Sequence, residues 1–150
     1  GIPFGMEIEG FEQELDNLAP KPGDGSIVVI VATDAPLLPW QLSKLCKRVP
    51  LGIGALGAGC QNGSGDIFLA FSTANDNALS AETIMVEMLS DEQIDPFYRA
   101  TVQAVEEAIL NAMVSAETMT GRNLNKSYGI PHDQVKDIVE KYENIFKHYR

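Results

Sequence analysis

Residues 26–33 read SIVVIVAT, eight positions of which five are Val or Ile. Side chains branched at Cβ crowd a helix and fit a pleated strand. With no polar alternation in the run, the expectation is a strand buried on both faces. Such a strand must be covered by other layers, which makes it the strongest local constraint on the fold. Immediately before it stands Pro20-Lys21-Pro22-Gly23-Asp24-Gly25, a loop by composition. Ser26 therefore sits at an abrupt loop-to-strand junction.

The remaining pattern mixes strands and helices. Residues 1–18 carry Ile8, Phe11, Leu15 and Leu18 at helical spacing, which predicts a short amphipathic helix. After the first strand, Asp34 can cap a helix with Pro36 in its first turn. Leu38, Leu42, Leu45 and Val49 would line one face of it, Lys47 and Arg48 would favour its C-terminus, and Pro50 would end it. Leu51 to Leu56 alternates large residues with glycines and reads as a strand, paired antiparallel with a second apolar strand over Asp66 to Ala74. From Pro96 the apolar residues Phe97, Val102, Val105, Ile109, Leu110, Met113 and Val114 recur at three and four, predicting a helix of about two dozen residues. Residues 120–123 (TGRN) break it. Pro131 starts another helix, with Val135, Ile138, Val139, Tyr142, Ile145 and Phe146 as its buried stripe. No repeat is present, and the whole reads as a layered α+β domain.

Charge and composition exclude several classes of function. A net charge of −10 opposes phosphate backbones, and the basic residues form no stripe with aromatics, so nucleic acid is not an expected partner. Half of that charge lies in the acidic lead-in of residues 1–25. The longest apolar run, Ile27 to Ala32, is far too short to span a bilayer, so no membrane partner is expected. Cys46 and Cys60 match neither a disulfide framework nor a metal-ligand spacing and read as packing thiols. The chain opens on Gly1 without a basic-then-apolar leader, as a processed or excised piece would; the compartment stays open, with the cytoplasm favoured.

Two stretches invite a chemical reading. Gly52-Ile53-Gly54-Ala55-Leu56-Gly57 spells G-x-G-x-x-G, yet a dinucleotide fingerprint follows a strand and opens a helix. Here it lies within an apparent strand, so neither a cofactor nor a metal is expected, and the glycines are read as permitting a close approach. Ser26 has no G-x-S-x-G elbow around it. If the Gly25–Ser26 bond were cut, however, Ser26 would carry its own base, an α-amine of ordinary pKa about 7.7–8.0 beside its hydroxyl. The plain alternative is a turn and a weak cap. Ser64-Gly65-Asp66 has a plain reading too, as a β-turn before a strand. His132, after Pro131 and before Asp133, is explained by helix initiation. His148 reads as a solvated tail residue, and Asn75 and Asn77 as turn formers.

The combination GDGSIVVIVATDAPLLP, then SGDIFLAFSTAN, then AETMTGR and PHD resembles the DmpA-like family of L-aminopeptidase/D-amino acid esterase-amidases and their β-peptidyl aminopeptidase relatives, over residues 23–135. The resemblance implies an αββα sandwich of the self-processing N-terminal-serine hydrolase type, of which this chain supplies roughly the C-terminal half. It implies a precursor cut at Gly25–Ser26, residues 1–25 ending the α part and residues 26–150 forming the β part. Ser26 then matches the nucleophile, with Ser64 and Asp66 as its catalytic neighbours. Some β-peptidyl members carry Glu at the position of Asp66, and relatives often carry His at that of Trp40. Implied partners are small peptide, amide or ester substrates, the α part of the same precursor, and further copies in a homo-oligomer. The oxyanion donor and the substrate-amine site of the family lie in the α part. An inert fragment awaiting the α part, and an acyltransferase of the ornithine acetyltransferase type, are the competing expectations; the latter uses threonine where this chain has Ser26.

Overall fold

A computed structural model describes residues 2–8, 25–58, 62–76, 82–124 and 126–147. The chain divides into two compact units, one of residues 23–109 and one of residues 1–22 with 110–150.

In the first unit, β1 (Val28–Thr33) and β2 (Ile67–Ser72) pair in parallel, Val28 opposite Ile67 through Thr33 opposite Ser72. Parallel neighbours require a crossover. Here it is made by α2 (Pro39–Cys46) and α3 (Val49–Ala55). Two expectations are thereby corrected: Leu51 to Leu56 is not a strand, and β2 is not antiparallel to it. Pro50 falls in the first turn of α3, where its missing N–H costs nothing. Gly52 then lets α3 press on the long helix α4 (Asp95–Ser115): a Cβ there would meet the Val102 carbonyl oxygen at 2.7 Å and Val105 Cβ at 2.9 Å. Gly57, with φ of +86°, ends the helix where other residues would be strained. Close approach, between helices, is the use of Gly52; a Cβ at Gly54 or Gly57 would meet nothing within 4 Å.

The helix expected from Asp34 begins instead at Pro39. Ala35 and Leu38 each precede a proline, which pushes them out of the helical region, and Leu38 is extended at φ −85°, ψ 164°. Pro50 does not end that helix either; α2 stops at Cys46 and a turn leads into α3. Arg48 lies over the Tyr98 ring at 4.2 Å and so packs by cation–π attraction.

Ala35, Leu37 and Leu45 form the centre of the core, with Val31, Leu42, Leu89, Phe97 and Tyr98 packed around them. Full burial of a side chain such as Leu45 or Val49 contributes about 1.5–3 kcal/mol. Gln41 is buried as completely as they are, and all of its polar atoms are used. Its Oε1 accepts from the Leu38 N–H at 3.1 Å, and its Nε2 donates to the Leu89 carbonyl and to Asp91 Oδ1, each at 2.8 Å. Lys44 adds an ion pair to Asp91 at 3.0 Å. Beyond β2, the Asn75 amide binds both the N–H and the C=O of Glu87, so Asn75 clips residues 82–90 rather than merely forming a turn.

β1 and β2 are each covered on one face only. Val29, Val31, Phe68 and Ala70 are half-buried, whereas Val28 (67% exposed), Ile30, Ile67, Leu69 and Phe71 are exposed. Burial of β1 on both faces is therefore corrected.

In the second unit, α1 (Phe4–Glu7) lies against α5 (His132–Lys147). Glu7 joins them: it accepts from Tyr142 Oη at 2.8 Å and pairs with Lys141. Of the helix expected over residues 1–18, the part beyond Ile8 lies outside the described residues, as do Cys60, Asn77, His148 and the Phe146 side chain. A hairpin of β3 (Met119–Thr120) and β4 (Lys126–Ser127) stands where the helical pattern breaks. The Ile138 side chain is buried, with Val135, Val139 and Tyr142 half-buried beside it, as the stripe on α5 predicts, but Ile145 of that stripe is exposed.

Candidate active site

The parallel register brings the residues before β1 beside the residues before β2. The Ile67 N–H donates to the Ile27 carbonyl at 3.0 Å, and the Ile27 N–H donates to Asp66 Oδ1 at 3.1 Å. Both strands therefore begin from one clamped point, and Ser26 and Ser64-Gly65-Asp66 are neighbours although 38 residues separate the two serines in sequence.

Around Ser26 the geometry is specific. Its Oγ accepts a hydrogen bond from the Gly65 N–H at 2.9 Å. Ser64 Oγ donates to Asp66 Oδ1 at 2.6 Å, the short distance of a hydroxyl bound to a carboxylate. One carboxylate oxygen thus takes two donors, one from each strand end. Gly25, Ser26 and Asp66 are exposed and Ser64 is half-buried, so a substrate or water can reach the hydroxyl. The structure brings together Ser26, Ser64 and Asp66, with Gly25 next to them in the chain. It adds Gly65, whose contribution is a main-chain N–H and therefore has no signature in residue type.

Other residues singled out from sequence lie elsewhere. His132 Nε2–H donates to the Val114 carbonyl at 2.8 Å, satisfying one of the carbonyls left open in the last turn of α4. Trp40 lies on the first turn of α2, 53% exposed, on the segment that leaves the C-terminal end of β1; Ser26 precedes the other end. The G-x-G-x-x-G letters fall on α3 and its cap, not on a strand-to-helix turn. Among the described residues no group of three or more His, Cys, Asp or Glu could hold a metal ion.

The arrangement can hold a serine oxygen in a fixed direction, with a donor on it and a carboxylate one residue away. The profile of peptidase family S58 matches residues 1–127. A β-peptidyl aminopeptidase BapA of Sphingosinicella microcystinivorans is 47% identical over 97% of this chain and 39% of its own length. Among solved structures, a protein of Pyrococcus horikoshii OT3 shares 44% identity at a TM-score of 0.73, covering 87% of this chain and 36% of its own. The L-aminopeptidase D-Ala-esterase/amidase of Ochrobactrum anthropi, described as a prototype of the serine aminopeptidases and a variant of the Ntn hydrolase fold, shares 41% identity at a TM-score of 0.72. It is covered over 37% of its length, so this chain spans under two fifths of the relatives it matches. Its mixed α/β architecture is consistent with the Ntn hydrolase fold of these neighbours. On the match over residues 1–127 and the identity to these relatives, the chain belongs to peptidase family S58, the DmpA-like aminopeptidases.

Proposed function

We propose that this chain is the nucleophile-bearing part of a self-processing serine aminopeptidase. Ser26 Oγ attacks the Gly25 carbonyl carbon, the C–N bond breaks, and the amine leaves with a proton as the Gly25 acyl group passes to oxygen. Water then opens the ester, leaving a Gly25 carboxylate and a free Ser26 amine. In turnover the same oxygen attacks the carbonyl of an N-terminal residue in a small peptide, amide or ester. The Ser26 amine takes the hydroxyl proton and returns it to the departing group, and water releases the acyl residue. Ser64 and Asp66 hold the site in register.

The observation that carries this reading is the Ser26 hydroxyl at the head of β1, accepting from the Gly65 N–H beside the Ser64–Asp66 pair. Residues 1–25 would end the α part and residues 26–150 form the β part of an αββα sandwich that assembles as a homo-oligomer. Intact mass of the denatured chain, beside a Ser26→Ala control, tests it. A species beginning at Ser26 is expected in the wild type alone; a Ser26→Ala chain that is still cut and still turns over substrate refutes the mechanism.

A second reading concerns this chain by itself: a folded but inactive half that needs the α part. The exposed apolar residues Val28, Ile30, Ile67, Leu69 and Phe71 on one face of β1 and β2 favour it, since contiguous apolar surface marks an interaction site. Co-expression with an α part distinguishes the two, because only this reading requires rescue. Transfer of the acyl group to an added amine acceptor, in preference to water, would instead favour the acyltransferase alternative.

A further inference from the structure

We propose that the main-chain N–H of Gly65 is the positioning group for the Ser26 hydroxyl, a role for a residue that carries no side chain. The inference rests on Ser26 being the nucleophile. A serine hydroxyl has one proton and two lone pairs. The Gly65 N–H, 2.9 Å from Oγ, occupies one lone pair, leaving the other to attack and the proton to be removed. As that proton leaves, charge grows on oxygen and the bond changes from neutral to charge-assisted. A bond that strengthens along the reaction lowers the barrier; one of constant strength does not.

The N–H is held in place from both sides. Ser64 Oγ reaches over Gly65 to Asp66 Oδ1 at 2.6 Å, and the same oxygen fixes the Ile27 N–H at 3.1 Å. Two residues on, the Ile67 N–H is tied to the Ile27 carbonyl at 3.0 Å. Residues 26–27 and 65–67 are thus joined by three successive bonds, and the Gly65 peptide cannot turn away without breaking its neighbours. Ser64 and Asp66 act on Ser26 through this peptide. A Cβ at position 65 would lie 3.6 Å from Ser26 Oγ, ordinary contact that leaves the N–H in place, so Gly65→Ala and Gly65→Pro separate the N–H from the space around it.

Amide hydrogen exchange on the intact chain reads the bond directly. In Ser26→Ala the Gly65 N–H loses its acceptor and is expected to exchange about two- to fivefold faster, whereas the Ile67 N–H, bonded to the Ile27 carbonyl, is unchanged. Equal Gly65 exchange in both proteins overturns the proposal, and this comparison needs neither activity nor a variant at position 65. The second readout is the rate at which a fluorophosphonate labels Ser26, followed against pH. Gly65→Pro should lower it about 100-fold, the scale of losing one such donor, and move the profile to higher pH; Gly65→Ala should stay within about fivefold on an unshifted profile. Retained Ile67 protection confirms the folded strand pair. Wild-type labelling with Gly65→Pro unaffected, or with the alanine and proline variants equally slowed on one profile, overturns the Gly65 role alone. A wild-type chain that neither labels nor cleaves at Ser26, both alone and co-expressed with the α part, overturns the nucleophile reading and this role with it.

Discussion

Gln41→Leu provides a test whose sign is informative. Gln41 is fully buried, and an apolar side chain of similar size there gains from burial, so a reading in which Gln41 only fills space predicts a more stable protein. The hydrogen bonds predict the opposite. Without the amide, the Leu38 N–H and the Leu89 carbonyl both lose their Gln41 partner in half-buried surroundings. An orphaned group costs about 1–3 kcal/mol, and partial access to water places each near the lower end, roughly 2–3 kcal/mol for the two. Better burial of Leu returns about 1 kcal/mol of that. The net loss of about 1–2 kcal/mol corresponds to a fall in Tm of roughly 2–8 °C for a chain of this size. Thermal unfolding by circular dichroism measures it. A second readout is Asp91, whose carboxyl is held below its ordinary range first by the Gln41 hydrogen bond and then by Lys44. In the variant its titration should move up toward the ordinary value. A Tm that rises, with Asp91 titrating as in the wild type, would refute the hydrogen-bond argument.

Two further perturbations address the strand junction and the second unit. Asp66→Ala removes the acceptor of both the Ile27 N–H and Ser64, exposed bonds of about 0.5–1 kcal/mol each; Ile27 amide exchange should accelerate about 5- to 30-fold, against less than about threefold in Asp66→Asn, which keeps the oxygen. The Glu7 carboxyl is lowered by its bonds to Lys141 and Tyr142, and both of those groups are raised by Glu7. A lowered carboxyl contributes fully above its ordinary pKa of about 4.3 and loses its contribution as pH falls through the lowered value; the raised groups contribute below about 10 and lose it as pH rises through theirs. Docking of residues 2–8 on α5, followed by the Tyr142 ring signals, is therefore expected to be flat between these limits and to weaken at both ends, with the acid limb abolished in Glu7→Gln.

Much of the local structure was legible because it depends on nearest neighbours. The β-branched run places β1, a three-and-four periodicity places α4 and α5, and Ser26 stands out as the residue where loop becomes strand. Recognition of Ser64 and Asp66 as companions of Ser26 came from the resemblance, since Ser-Gly-Asp by itself is an ordinary turn. Two of the failures share a cause. Leu51 to Leu56 is short, apolar and rich in glycine, equally compatible with strand or helix. Contact of Gly52 with Val102 and Val105, together with Pro50 in the first turn, resolved it as α3. Once that segment was helical, β2 had no antiparallel partner there and paired in parallel with β1.

Alone, the sequence determined where strands and helices could form and which hydroxyl stood at the junction, because propensity, periodicity and turn chemistry act over a few residues. Only the tertiary structure decided the parallel register, the burial of Gln41 and the aim of the Gly65 N–H at Ser26. Each depends on groups distant in sequence meeting in space, and a backbone N–H is the same in every residue but proline, so no residue letter could announce it.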